Sequence, residues 1–324
     1  MAQVARTVRR TPEVIVKVSG GGRDSAGAQA HFDYIDRHGK LDVETDDGRK
    51  LQEKGTGADL VDEWNLALSE GQYRRPSTES GKDTRRKVVH NIVLSMPAPT
   101  PPEAVLAAAR VFAREHFALQ YRYAMVLHTD QRHPHVHLVV KAEHEFEPGK
   151  RLHIRKATLR QWREEFAKCM RAQGVAANAT PGAIRGRLNV RKKDPIHQRM
   201  RAVEAYEGLS AEEKSRRSPP KESLFMRSKV SGVLRELANG GLAGEPGKGR
   251  LVASREQVLQ QWAENADALR LHGEESLARQ VLDFVRTLPA VRTENEQIAA
   301  GLAAQFETAA HWRQSDVDRD DRKR

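Results

Sequence analysis

The stretch His128-Thr-Asp-Gln-Arg-His-Pro-His-Val-His137 concentrates coordinating side chains, with four histidines in ten residues. Apolar runs flank it, Tyr123-Ala-Met-Val-Leu127 before and Leu138-Val-Val140 after. Short apolar runs bounded by turn residues read as two strands, joined here by a loop over residues 129–134. Strand side chains alternate between faces, so His135 and His137 project to the same side. A hairpin across that loop sets His128 opposite His135, where cross-strand Cβ atoms lie roughly 5 Å apart. Three imidazoles so placed can each reach a single ion at about 2.0–2.2 Å. An apolar strand has no packing reason to carry two histidines on one face. The pattern therefore reads as a metal site on a sheet, with His128, His135 and His137 as ligands.

The elements that must position this hairpin can be read in order. Residues 13–18 form a first strand, broken by Ser19-Gly-Gly-Gly22. Asp24 or Ser25 can cap a following helix that ends at Gly39. Ala28, Phe32 and Ile35 make its apolar stripe. Tyr34 falls about 100° off that stripe, so its ring is presented away from the helix's own core face. Residues 40–84 are polar, with Gly, Asp and Ser clusters and one amphipathic piece, and read as an insertion or lid. A strand over 85–97 ends in a proline-rich turn. Thr100-Pro-Pro-Glu103 is a capping-box pattern with proline at the first helical position, opening a helix to about residue 117. After the histidine hairpin, residues 150–154 can add an edge strand. A helix over 158–173 carries Leu159, Trp162, Phe166, Cys169 and Met170 on one side, with Gly174 as its cap.

This order predicts an α+β domain: an antiparallel sheet with helices on one face and the histidine metal site on the other. Strand signals stop near residue 178. The expected organisation is a domain over 1–190 with its insertion at 40–84, a basic linker or arm over 191–221, and an all-α accessory region over 222–324. Helices are expected over 222–238, 255–271, 274–288 and 294–312.

The 324 residues carry a formal charge of +11 and a sequence pI near 9.8, which points to a polyanionic partner. The excess is uneven: residues 181–230 hold 13 Lys and Arg against 6 Asp and Glu, residues 251–324 only 10 against 13. Cys169 is the single cysteine, which excludes a disulfide framework and a cysteine-based zinc module. Residues 1–12 lack an apolar core of signal-peptide length and no run approaches a membrane span, so the expected location is the cytoplasm, without membrane insertion.

Three segments now resemble a known family. Tyr34 in Ala-His-Phe-Asp-Tyr-Ile-Asp-Arg, the strand His-Asn-Ile-Val-Leu-Ser95-Met-Pro, and His-Thr-Asp followed by His-Val-His-Leu-Val-Val are similar to the three motifs of conjugative relaxases. These mobilisation nucleases belong to the histidine-hydrophobic-histidine endonuclease group, and the likeness is to its single-tyrosine branch, which includes the T-DNA nicking protein. It covers roughly residues 13–190. The resemblance implies nicking of one strand at an origin of transfer: Tyr34 attacks the scissile phosphate and forms a 5′-phosphotyrosyl bond, which conserves the phosphodiester energy for rejoining. Asp130 is the candidate general base, or the group that orients a ligand histidine, since metal-bound imidazoles usually donate their other N–H to a carboxylate or carbonyl. The ion would offset charge at a non-bridging phosphate oxygen. Neutral imidazoles favour Mn²⁺, Zn²⁺, Co²⁺ or Ni²⁺, while the family's use of Mg²⁺ keeps Mn²⁺ and Mg²⁺ foremost. Ser95 matches a DNA-contacting serine. Arg132 can hold a phosphate, and Arg185, Arg187 and Arg191 begin an arm suited to the DNA backbone, with the salt dependence of phosphate contacts. The implied partners are single-stranded origin DNA, relaxosome accessory proteins and a secretion coupling protein, with translocation alongside the DNA.

Two alternatives use the same residues. A rolling-circle replication initiator usually places its tyrosine after the histidine motif, whereas Tyr34 precedes it here. A metal-dependent phosphodiesterase or a non-catalytic DNA adaptor would need no tyrosine at all.

Overall fold

The computed structural model describes residues 1–73, 86–187, 209–216, 224–242 and 244–304, together with residues 203, 206 and 219. The chain divides into two compact units, 1–180 and 181–324, where the sequence pattern placed a boundary near 190.

The first unit runs α1 (Ala2–Val8), β1 (Ile15–Gly20), α2 (Ser25–Ile35), β2 (Val43–Thr45), β3 (Lys50–Leu51), α3 (Thr56–Glu63), α4 (Leu66–Tyr73), β4 (Val89–Ser95), α5 (Pro102–Phe117), β5 (Tyr123–His128), β6 (His135–Lys141) and α6 (Lys156–Ala172). Its six strands stand in the order β1-β4-β6-β5-β2-β3, each antiparallel to its neighbours. Alternation along the strands sends two sets of apolar side chains to opposite faces. Ile92, Leu94, Met125, Val136, Leu138 and Val140 pack against α5 and α6 through Phe112, Phe117, Trp162 and Phe166. Burying each of those large rings contributes roughly 1.5–3 kcal/mol.

The opposite face holds the histidines, as the α+β reading requires, but it is not bare. Ala124, Val126 and Val139 meet Ala28, Phe32 and Ile35 of α2, together with Leu60, Trp64 and Leu66. Helices therefore flank both faces, and α2 lies beside the metal-site residues. The polar segment read as an insertion or lid supplies β2 and β3 at one sheet edge and buries Trp64 to 1% exposure. Its few apolar residues are spent in one place, which composition averaged over forty residues conceals.

Smaller departures have local causes. The pattern at Thr100 does not close as a capping box: its hydroxyl donates to Pro97 O at 2.7 Å, and Pro101 is the N-cap, with no side-chain cap bond. Proline at the first helical position already starts that helix. Asp24 does cap α2, accepting from Gly27 N at 2.7 Å. The expected edge strand over 150–154 is reduced to one bridge, Glu143 to Arg151. Asn178 closes the unit, its backbone pairing with Pro12 and Val14 and its side chain reaching Thr7, Glu13 and Thr180.

In the second unit the described helices are α7 (Ala211–Ser215), α8 (Leu224–Ala238), α9 (Lys248–Leu271), α10 (Glu275–Arg286) and α11, described over 294–304. The α9 helix begins earlier than expected, at Lys248, preceded by the N-cap Gly247, whose φ of +103° suits a glycine. It packs on α10 through Trp262 and Phe284, 5.3 Å apart between ring centres.

Candidate metal centre

The β5–β6 register places His128 directly opposite His135, and β4 sets Ser95 opposite His135 on the other side. The rings converge: centroids are 5.1 Å apart for His128 and His135, 4.6 Å for His128 and His137, and 5.2 Å for His135 and His137. Among the described residues these three form the one His/Cys/Asp/Glu group whose ligand atoms all lie within 4.8 Å of one another. His128 and His135 are 1% and 7% exposed.

Hydrogen bonds set which ring nitrogens are left for a ligand. His128 Nε2 lies 2.6 Å from the Ile35 carbonyl oxygen, and His135 Nδ1 lies 3.0 Å from that of His133. A carbonyl fixes the N–H on its own side and leaves the opposite nitrogen its lone pair, the usual support of a metal-bound imidazole; at His128 that nitrogen, Nδ1, lies 3.2 Å from Arg37 Nη2. His137 Nδ1 is buried without a partner. Burial first, then the neighbouring His128, His135, His31 and Arg37, push the His137 pKa down to about 3, and burial also lowers that of His128. Three imidazoles whose ligand atoms lie this close together suit a divalent cation. The donor set fits one.

Tyr34 stands on this same side of the sheet and is 57% exposed. Its ring stacks against His31 at 6.4 Å, and His31 meets His137 edge-on at 6.3 Å. Asp130 does not hydrogen-bond a histidine: its nearest approach to His128 Nδ1 is 4.0 Å. The Ile35 carbonyl orients His128 instead, and Asp130 pairs with Arg37 at 2.6 Å. That guanidinium holds the Asp130 carboxyl below the usual carboxylate range. Ser95 is buried and donates to Pro134 O at 3.1 Å, tying its strand end to the histidine loop. Arg132 is exposed in that loop. Arg185 and Arg187 belong to the second unit, and Arg191 lies outside the described residues.

Two neighbours of the site escaped the sequence reading. His31 lies one helical turn before Tyr34, and that spacing of three could have flagged it. Its Nε2 is buried without a partner, and burial lowers its pKa against a smaller opposing pull from Asn91. Arg37 follows the end of α2 and reaches the hairpin from 93 positions away in sequence; no local pattern announces it.

An interior strand of the antiparallel sheet thus offers two histidines around one hydrophobic residue, joined by a third from the next strand. The nuclease-domain family model of MobA/VirD2-like relaxases matches residues 35–175, beginning one residue after Tyr34. That segment, less than half of the chain, is similar to a MobA/VirD2-like relaxase nuclease domain. The T-DNA border endonuclease VirD2 of Rhizobium rhizogenes is 32% identical over 137 residues, covering 40% of this chain and 30% of that protein. VirD2 of Rhizobium radiobacter is 26% identical over 187 residues, covering 54% and 43%. The chain thus spans less than half the length of either relative. Among solved structures, a MobM relaxase domain bound to manganese and plasmid oriT DNA covers 58% of this chain and 98% of its own, at 11% identity and a TM-score of 0.37. No described helix is long and apolar enough to cross a membrane.

Proposed function

We propose that this protein is a DNA relaxase that nicks one strand at an origin of transfer through a 5′-phosphotyrosyl intermediate on Tyr34. The observation that carries the reading is an exposed phenol on the sheet face that bears three converging imidazoles, inside and beside the segment that resembles a relaxase nuclease domain.

His128, His135 and His137 would hold a divalent ion, Mn²⁺ or Mg²⁺ foremost, with Zn²⁺, Co²⁺ and Ni²⁺ accepted by the same nitrogen donors. When bound, such an ion offsets negative charge on the phosphate oxygens. The chain's own residues do the rest. Tyr34 Oη forms the new bond to phosphorus as the bond to the 3′ oxygen breaks; the phenolic proton leaves to solvent and the 3′ oxygen leaves protonated. One phosphodiester replaces another, so the strand can be rejoined by the reverse attack. Of the two roles open to Asp130, its ion pair with Arg37 favours orientation: a carboxylate held that low is a weak base. Ser95 and Arg132 line the approach as DNA contacts. Arg185, Arg187 and Arg191 add contacts to the backbone, and the helical second unit serves accessory or coupling proteins. The net charge of +11 favours a polyanionic partner. This reading places the protein in the cytoplasm, with passage into a recipient alongside the strand.

The test is incubation with Mn²⁺ and single-stranded oligonucleotides tiled across the DNA flanking the coding sequence, followed by SDS electrophoresis and tryptic mass spectrometry. An SDS-resistant adduct on the peptide containing Tyr34, absent in Tyr34→Phe, is expected. Cleavage with no adduct would instead support a phosphodiesterase, and an adduct persisting in Tyr34→Phe would place the nucleophile elsewhere.

A further inference from the structure

The chain leaves α2 through a turn of unusual hand. Arg37, His38 and Gly39 have φ of +57°, +56° and +82°, and only the last is glycine. Side chains adopt that region at a cost, and such outliers persist where the surroundings fix them. Backbone bonds fix this one: His38 N donates to Asp33 O, and Lys40 N and Leu41 N both donate to Asp36 O, each at 2.9 Å. The turn throws the Arg37 side chain back over the helix end.

There it makes connections in two directions. Towards α2, Nη1 donates to the Tyr34 carbonyl oxygen at 3.1 Å, and the guanidinium carbon lies 5.1 Å from the centre of the Tyr34 ring. Towards the histidine loop, Nη2 donates to Asp130 Oδ2 at 2.6 Å and lies 3.2 Å from His128 Nδ1. Tyr34 is thus an exposed ring with a guanidinium on it, and that guanidinium is anchored to the metal-site hairpin.

We propose that Arg37 is a positioning residue for Tyr34, its planar fork clasping the tyrosine to Asp130 and so setting the line on which the phenol meets the phosphate. This rests on the reading of Tyr34 as nucleophile. A guanidinium can bond a carbonyl and a carboxylate at once in fixed geometry; an ammonium carries the charge without the fork. Asp130 then acts through Arg37 as the clasp's far anchor.

The test compares Arg37→Ala, Arg37→Lys, Asp130→Asn and the Arg37→Ala/Asp130→Asn double variant. With DNA saturating, the single-turnover rate of adduct formation should fall about 10- to 100-fold in each variant, the scale set by a small misplacement of a reacting group. The DNA dissociation constant, measured without metal, should change by no more than about threefold, which separates positioning from binding. The double variant should be no slower than either single one, because both ends belong to one clasp. In metal-free protein, the ¹⁹F resonance of 3-fluorotyrosine at position 34 should move in Arg37→Ala and Asp130→Asn alike. A wild-type rate in Arg37→Ala, full rescue by Arg37→Lys, additive losses in the double variant, or an unmoved ¹⁹F resonance would each overturn the clasp. Failure of the wild-type protein to form an adduct would instead remove the nucleophile reading, while the ¹⁹F shifts would still report the contact.

Discussion

His128 and His135 occupy directly opposed positions on adjacent antiparallel strands, and their ring centres are 5.1 Å apart. His137 completes the group two residues further along β6. With one ring nitrogen of His128 and of His135 held by a backbone carbonyl, each substitution removes a donor that is already aimed. Single replacement of His128, His135 or His137 by Ala should weaken Mn²⁺ binding, measured by titration calorimetry, by more than the roughly 10- to 100-fold typical of losing an outer partner. Unchanged affinity in any one variant would remove that residue from the centre.

The low pKa of His137, about 3, gives the metal-free protein a signature in acid. An unfolded histidine titrates near 6.5. Between those values the unfolded chain binds a proton that the folded chain refuses, so stability rises with pH across this window. In EDTA, the urea midpoint should therefore fall as pH drops from about 6.5 towards about 3, and His137→Asn should flatten that slope. An equally steep slope in the variant would locate the titration elsewhere, for instance at His90, which burial pushes down to about 4.

Phe32 of α2 packs edge-on against Trp64, with ring centres 5.4 Å apart. Trp64→Ala should cost about 3–5 kcal/mol of stability by urea denaturation, as a large buried ring leaves a cavity. Because α2 carries Tyr34, adduct formation should slow as well. A loss below about 1 kcal/mol would mean that residues 43–66 behave as the detachable lid their composition suggests.

Asn178 marks where the first unit ends. Its amide bonds Thr7 and Glu13 at 3.1 and 3.2 Å, joining the last described turn of the unit to its beginning. A chain ended at Thr180 should melt cooperatively and bind Mn²⁺ like the full chain. One ended at Val175 should melt at lower temperature, measured by circular dichroism, because Pro12 and Val14 lose their backbone partners. Equal melting of the two would make Asn178 dispensable.

The local features of this protein were open to a reading of residue order alone. Period-two alternation placed His135 and His137 on one face, and loop length set His128 opposite His135. The buried stripe of Ala28, Phe32 and Ile35 left Tyr34 exposed, as spacing implied. Each of these depends on neighbours within a few residues, where the geometry of strand and helix permits few arrangements.

What the tertiary structure alone decided involves partners distant in sequence. Asp130 reads as a base or an orienting group until Arg37 meets it, and the carbonyl that orients His128 belongs to Ile35. The polar segment after residue 40 reads as a lid until Trp64 is found against Phe32. Side-chain periodicity reports which face a residue occupies but carries no information about which other element arrives there. That choice is made when the sheet closes and α2 settles on it, bringing a left-handed turn and its arginine to the edge of the histidines.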